Sequence, residues 1–121
     1  MVKPLFDTDI LIDYLNGIPQ ARDEIARYRE RCISIITWME VLVGAEKEVE
    51  PRTRDYLGTF EVVPVDDRVA DRAVSLRREH HIRLPDAIIW ASADVGSLLL
   101  VTRNTKDFGR DRPGIRIPYA L

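Results

Sequence analysis

The chain has 121 residues, of which 45% are hydrophobic and 31% charged. This composition fits one globular domain, residues 1–121, long enough for a real core, and excludes a disordered polar chain. A formal charge of −2 excludes a protein that coats nucleic acid through bulk positive charge, so any such contact must be local. Residues 3–6 read as a first strand, whose apolar run Pro4-Leu5-Phe6 delivers Asp7 to its carboxyl end. The residues before it form no signal-peptide hydrophobic region, and no apolar run is long enough for a bilayer, which makes the cytoplasm the expected location. A helix over residues 9–16 follows, with Thr8 or Asp9 available to cap it, and Asn16-Gly17 and Pro19 end it. Residues 20–31 read as a charged helix with Ile25 and Tyr28 inward. Residues 32–35 form strand two, which makes the only cysteine, Cys32, a buried and inert thiol, and a lone cysteine excludes an internal disulfide or cysteine-based zinc site. Thr37 is placed to cap the next helix, and Thr37-x-x-Glu40 fits a capping box. Pro51 starts a helix to about Phe60, and residues 61–65 form strand three. Asp66 and Asp67 open a long helix to about His80 with Val69, Ala73, Val74 and Leu76 inward. Pro85 opens another to Gly96; residues 98–101 are an apolar strand four, and residues 115–117 a short edge strand.

Strands alternating with helices predict an α/β fold: a three-layer α/β/α sandwich around a short, mainly parallel sheet. The right-handed crossover rule gathers the strand carboxyl ends on one rim, and ligands of open α/β sheets bind outside that rim. Asp7 falls there, as does the stretch Thr102-Arg103-Asn104-Thr105-Lys106-Asp107-Phe108 after strand four. Glu40 and Asp86 sit in the first turns of helices that leave the same rim. Taken singly, each acid has an ordinary explanation: a capping box for Glu40, favourable helix-dipole charge for Asp86, a turn for Asp107. Taken together, several carboxylates at one place repel unless a cation separates them. Oxygen donors without cysteine or a histidine cluster favour a hard metal, Mg²⁺ or Mn²⁺. The adjacent His80 and His81, among arginines at a helix end, read as surface charge rather than as ligands.

Four segments in order carry a resemblance. They are Phe6-Asp7-Thr8-Asp9-Ile10-Leu11-Ile12-Asp13, Thr37-x-x-Glu40 with Gly44, Leu84-Pro85-Asp86-Ala87-x-Ile89-x-Ala91, and Val101-Thr102-Arg103-Asn104-Thr105-Lys106-Asp107-Phe108. With them the chain resembles the PIN-domain family, and within it the VapC-type toxins of toxin–antitoxin pairs. The resemblance implies an endoribonuclease dependent on one or two Mg²⁺ or Mn²⁺ ions, a homodimer, and a small antitoxin whose tail covers the acidic site. Carried over by position, it makes Asp7, Glu40 and Asp86 the acidic core. The fourth position falls on Asn104, with Asp107 three residues on, so either of the two completes the shell. Thr8 and Thr102 are implied hydroxyl helpers of the ligands, and Asp9 reads first as helix-start charge, with a supporting place behind the ligands as the alternative. Asp7, Asp86 and Glu40, with Asn104, are the expected metal-holding set, and Asp107 joins the three acids as a catalytic candidate. Arg103, Lys106 and Arg110 are candidates to hold the RNA backbone against an acidic site, with ordinary surface charge as the alternative.

Two other classes share parts of the pattern. Asp7-Thr8-Asp9 also resembles the start of haloacid-dehalogenase-type phosphatases, in which the first aspartate is a nucleophile. Those enzymes need a lysine ahead of an acidic pair, and no lysine here is convincingly placed. A receiver-type signalling domain has similar length and alternation, but needs a lysine after strand four, where Val101-Thr102-Arg103 has none. A PIN-type ribonuclease that processes RNA without a toxin role stays open at this level.

Overall fold

A computed structural model describes residues 2–109 and 112–121. Five strands form one fully parallel sheet: β1 (Pro4–Phe6), β2 (Cys32–Ser34), β3 (Glu61–Val63), β4 (Leu99–Val101) and β5 (Ile115–Arg116), in the order β3-β2-β1-β4-β5. β1 lies in the middle, with Leu5 opposite both Cys32 and Leu100, and Phe6 opposite Val101. Successive side chains of a strand point to opposite faces. Leu5, Cys32, Leu100 and Ile115 therefore share one core with α5 (Asp67–His80) and α6 (Leu84–Gly96). Phe6, Ile33 and Val101 share the other with α1 (Thr8–Leu15), α3 (Ile35–Gly44) and α4 (Glu50–Leu57). The remaining helix, α2 (Pro19–Ala26), sits beside α1 and adds Ile25 to the second core. This is the expected three-layer sandwich, and cover on both faces explains why the strands read as unbroken apolar runs. The strand order also removes the receiver-type reading, whose doubly wound order is 2-1-3-4-5.

Several boundaries differ from expectation. Helix α1 is capped by Asp7 itself, whose carboxylate accepts from the Thr8 amide at 2.8 Å, rather than by Thr8 or Asp9. The helix after strand two begins at Ile35, capped by Ser34, whose hydroxyl accepts from the Ile36 amide at 3.1 Å. Thr37 is fully buried inside that helix, and Glu40 accepts from Thr8, so the capping box does not form. The physical reason is that the chain turns as soon as the β2–β3 ladder ends, and Ser34 is the short hydroxyl side chain at that corner. Ser34→Ala is expected to cost about 1 kcal/mol and to lower Tm by about 5 °C in thermal unfolding. An unchanged Tm would return the cap to Thr37.

Helix α2 stops at Ala26 rather than running to residue 31; Tyr28, just beyond it, donates its hydroxyl to Glu24 at 3.0 Å. Helix α4 starts one residue earlier than expected and ends at Leu57. Along α5 the buried stripe is Val69, Ala73 and Leu76, and Val74, expected inward, is 44% exposed because it lies one position around the helix. Among the described residues no helix is long and apolar enough to cross a membrane.

Candidate active site

The sheet's carboxyl rim is built by two backbone bonds that continue the ladders past the strands. The Asp7 amide donates to the Val101 carbonyl at 2.9 Å, and the Thr102 amide to the Arg116 carbonyl at 3.0 Å. Asp7 and Thr102 thus leave neighbouring strands side by side, and the Thr102 hydroxyl donates to Asp7 Oδ2 at 2.7 Å. Asp7 is only 4% exposed. Burial pushes its carboxyl up to about 7, and the like charge of Asp9 pushes the same way, while the bonds from Thr102 and the Thr8 amide pull it down.

The other two expected acids meet Asp7 across one cleft of about 310 Å³, which Asp9 also lines. Glu40 comes from the second turn of α3, and its Oε1 accepts from the Thr8 hydroxyl at 2.7 Å. The Thr8 proton is then spent on Glu40, so at the 2.9 Å contact between the two threonines it is Thr37 that donates. Asp86 comes from the first turn of α6 and is buried, while its Oδ2 accepts from Arg83 Nε at 3.1 Å. Burial raises its carboxyl above the ordinary value, Arg83 pulls it down, and the charges of Asp107 and Glu40 push it up.

The fourth segment is divided between the cleft and its own loop. Asn104 lines the cleft and Asp107 does not. The Asn104 side chain donates Nδ2 to Asp107 Oδ2 at 2.9 Å, and its Oδ1 accepts from the amides of Lys106 and Asp107 at 3.2 and 3.1 Å. The two candidates therefore form one hydrogen-bonded unit. Arg103, expected at the RNA backbone, is committed elsewhere: its guanidinium forks onto Asp13 at 2.7 and 2.9 Å. Lys106 is exposed, and Arg110 lies outside the described residues.

Two acids of α1 also take part: Asp9, read from the sequence first as helix-start charge, and Asp13, to which the sequence reading gave no role. Asp9 accepts from the Arg103 amide through Oδ2 at 3.2 Å, while its Oδ1 is buried with no hydrogen-bond partner. Burial raises its carboxyl to about 6, with Arg103 opposing. Asp13 is buried under Arg103 and also accepts from the Tyr119 hydroxyl at 2.8 Å. Their sequence signal was the spacing: like charges four residues apart on one helix face repel, and such a pair asks for a cation.

Among the described residues no three Asp, Glu, His or Cys side chains converge tightly enough to form a finished metal cage. The donor chemistry nevertheless fits a hard divalent cation. Asp7, Asp9, Glu40 and Asp86 offer only oxygen, Asp9 Oδ1 is an orphaned buried acceptor, and Asp7 is buried where its charge is costly without a counter-ion. A larger hollow of about 660 Å³ lies between α1, α3 and α4, lined by residues such as Tyr14, Val41 and Tyr56. It shares Ile12 with the acidic cleft but gathers no group of carboxylates, so the smaller cleft is the chemical one.

The chain is 34% identical over 112 residues to ribonuclease VapC10 of Mycobacterium tuberculosis, an alignment covering 86% of this chain and 84% of that one. It is 32% identical over 129 residues to a tRNA(fMet)-specific endonuclease VapC of Salmonella typhimurium, with 97% of each covered. Its fold superposes with a TM-score of 0.93 and 47% identity on a chain of a toxin–antitoxin complex from Klebsiella pneumoniae, covering 98% of this chain and 99% of that one. The family model described as the PIN domain matches residues 5–110, which include all four acidic segments and, apart from Pro4 of β1, every strand of the sheet except the edge strand β5. This chain belongs to the PIN-domain family.

Proposed function

We propose that this chain is a Mg²⁺- or Mn²⁺-dependent endoribonuclease, the toxin of a type II toxin–antitoxin pair, acting in the cytoplasm. The observation that carries the reading is the joint placement of Asp7, Glu40 and Asp86 around one cleft on the carboxyl rim. Relatives named as ribonucleases, and a close structural neighbour described as part of a toxin–antitoxin complex, support the toxin role. The partner would be a small antitoxin covering the cleft, and the working state a homodimer within a higher assembly.

When bound, a divalent ion supplies Lewis acidity toward a phosphate oxygen and makes a water acidic enough to attack at neutral pH. Asp7 and Asp86 are the side chains that would hold it; Asn104 would join them only by releasing one of the two amides that its Oδ1 accepts from. Thr102 fixes the rotamer of Asp7 through its 2.7 Å bond. Glu40, exposed and held by Thr8, is placed to orient the attacking water, and Asp107 anchors Asn104. The RNA phosphodiester would leave a 5′-phosphate and a 3′-hydroxyl. Lys106 is the exposed candidate for the RNA backbone, because Arg103 is occupied by Asp13 and Arg110 lies outside the described residues.

Purified protein is expected to cut RNA with Mg²⁺ or Mn²⁺, to stop with EDTA or with the cognate antitoxin, and to leave 5′-phosphate ends on mapping. Because Asp7 holds its proton up to about pH 7, metal must displace that proton at lower pH. Apparent Mn²⁺ affinity should rise between about pH 6 and 8 and level off above. Cleavage that persists in EDTA, or Mn²⁺ affinity that stays flat with pH, would remove Asp7 from the metal shell.

A further inference from the structure

Arg83 lines the cleft with its guanidinium only partly engaged. It is the N-cap of α6, with no side-chain capping bond. A cation at the positive end of a helix is unfavourable. Its bond to Asp86 is made by Nε alone at 3.1 Å, and the Arg83 side chain is 77% exposed. The pair joins this exposed guanidinium to a carboxylate that is itself buried, so Arg83 offsets the burial of Asp86 in the absence of another cation. Among the described residues its two Nη groups have no hydrogen-bond partner, and Arg83 lines a cleft that also holds Asp7 and Glu40. A guanidinium with a free planar fork is suited to a phosphate, which accepts two parallel N–H bonds.

The geometry points to Arg83 as a two-position cation: it neutralises Asp86 until a metal ion takes that carboxylate, and then swings its guanidinium onto a phosphate of the bound RNA. The inference rests on the ribonuclease reading above and names a residue for its substrate contact. Removing the guanidinium therefore has opposite effects on the two ligands. It takes away a competitor for metal at Asp86, and it takes away a contact for RNA.

The test uses the whole chain as wild type and as Arg83→Gln for metal binding, and Glu40→Gln, which slows cleavage, alone and combined with Arg83→Gln or Arg83→Lys for RNA binding. Mn²⁺ binding alone, followed by loss of the free-ion EPR signal, is expected to be several-fold tighter in Arg83→Gln than in wild type. Binding of a labelled single-stranded RNA in Mn²⁺, read by anisotropy, is expected to weaken about tenfold when Arg83→Gln is added to Glu40→Gln. The slope of log affinity against log salt should fall by about 0.7, the share of one phosphate contact on a single strand. Arg83→Lys, which keeps the charge but not the fork, should retain part of the RNA affinity. Weaker Mn²⁺ binding with unchanged RNA affinity would overturn the proposal and leave Arg83 as a positioning residue for Asp86. Unchanged RNA affinity and salt slope would also overturn it, whatever the metal does. If wild type itself bound no Mn²⁺ and cut no RNA, the ribonuclease reading would fall first, a result distinct from an Arg83 effect missing in an active enzyme.

Discussion

Asp7→Asn is expected to lower metal-dependent RNA cleavage by about a thousandfold or more, which corresponds to about 4 kcal/mol of transition-state stabilisation. The fold is expected to survive. An asparagine has nearly the same shape, its Oδ1 can still accept from the Thr8 amide, and its amide can donate to the Thr102 hydroxyl. Stability of the metal-free protein should rise at neutral pH, and the direction follows from proton linkage. The carboxyl of Asp7 stands at about 7 in the fold, against 3.8 when unperturbed. Between those values the folded state binds more protons than the unfolded one, so stability falls as pH rises through the window. Above pH 7 the full loss is present, and below about pH 4 it vanishes. The asparagine variant carries no such loss. Its Tm should exceed that of wild type by on the order of 5 °C at pH 8, and the gap should close towards pH 4. Mn²⁺ should raise the wild-type Tm more than that of the variant, because binding to the folded state alone stabilises it. Strong cleavage by a pure, well-folded Asp7→Asn protein, or a lower metal-free Tm at pH 8, would contradict this account.

What the chain disclosed in advance follows from what is local. Apolar runs such as Pro4-Leu5-Phe6 and Leu98-Leu99-Leu100-Val101 mark strands covered on both faces, and these strands occur at β1 and β4. Proline and acid pairs at helix starts placed α5 and α6 within a residue or two. Once the rim was inferred, Asp7, Glu40 and Asp86 followed, since each leaves a strand end or opens a rim helix. Less legible were choices between near-equivalent local partners. Ser34 and Thr37 are both hydroxyl residues, and only the end of the β2–β3 ladder selects Ser34 as the cap. Least legible were the pairings across the sequence. Arg103 sits 90 positions from Asp13, and nothing in its own segment distinguishes a cation aimed at RNA from one buried over an acid. Asn104 and Asp107 looked like rivals for one place, but their side chains bond to each other, a relation that spacing alone leaves open.

Arg103→Ala is expected to be the most destabilising charge substitution in the site, and the reason separates a positioning role from an RNA contact. Asp13 is 5% exposed, and its carboxylate is forked by Arg103 and capped by the Tyr119 hydroxyl. Removing the arginine leaves Asp13 buried with one neutral donor, and leaves Asp9 without the cation that opposes its burial. Breaking a buried pair from one side costs 3–5 kcal/mol; with the Arg103 side chain 33% exposed, the lower end applies, about 3 kcal/mol and a fall of about 10 °C in Tm. Arg103→Lys should recover little of this, because an ammonium cannot make two parallel bonds. Cleavage should fall even well below the melting range, since Arg103 adjoins Thr102, whose hydroxyl holds Asp7. In a double-mutant cycle, Arg103→Ala with Asp13→Ala should cost clearly less than the sum of the two, because the second change removes the stranded charge. A residue that simply held RNA would behave differently. Its loss would raise KM, lower the salt dependence of binding and leave Tm and the cycle additive; that set of results would return Arg103 to the RNA surface and leave Asp13 to be stabilised by Tyr119 alone.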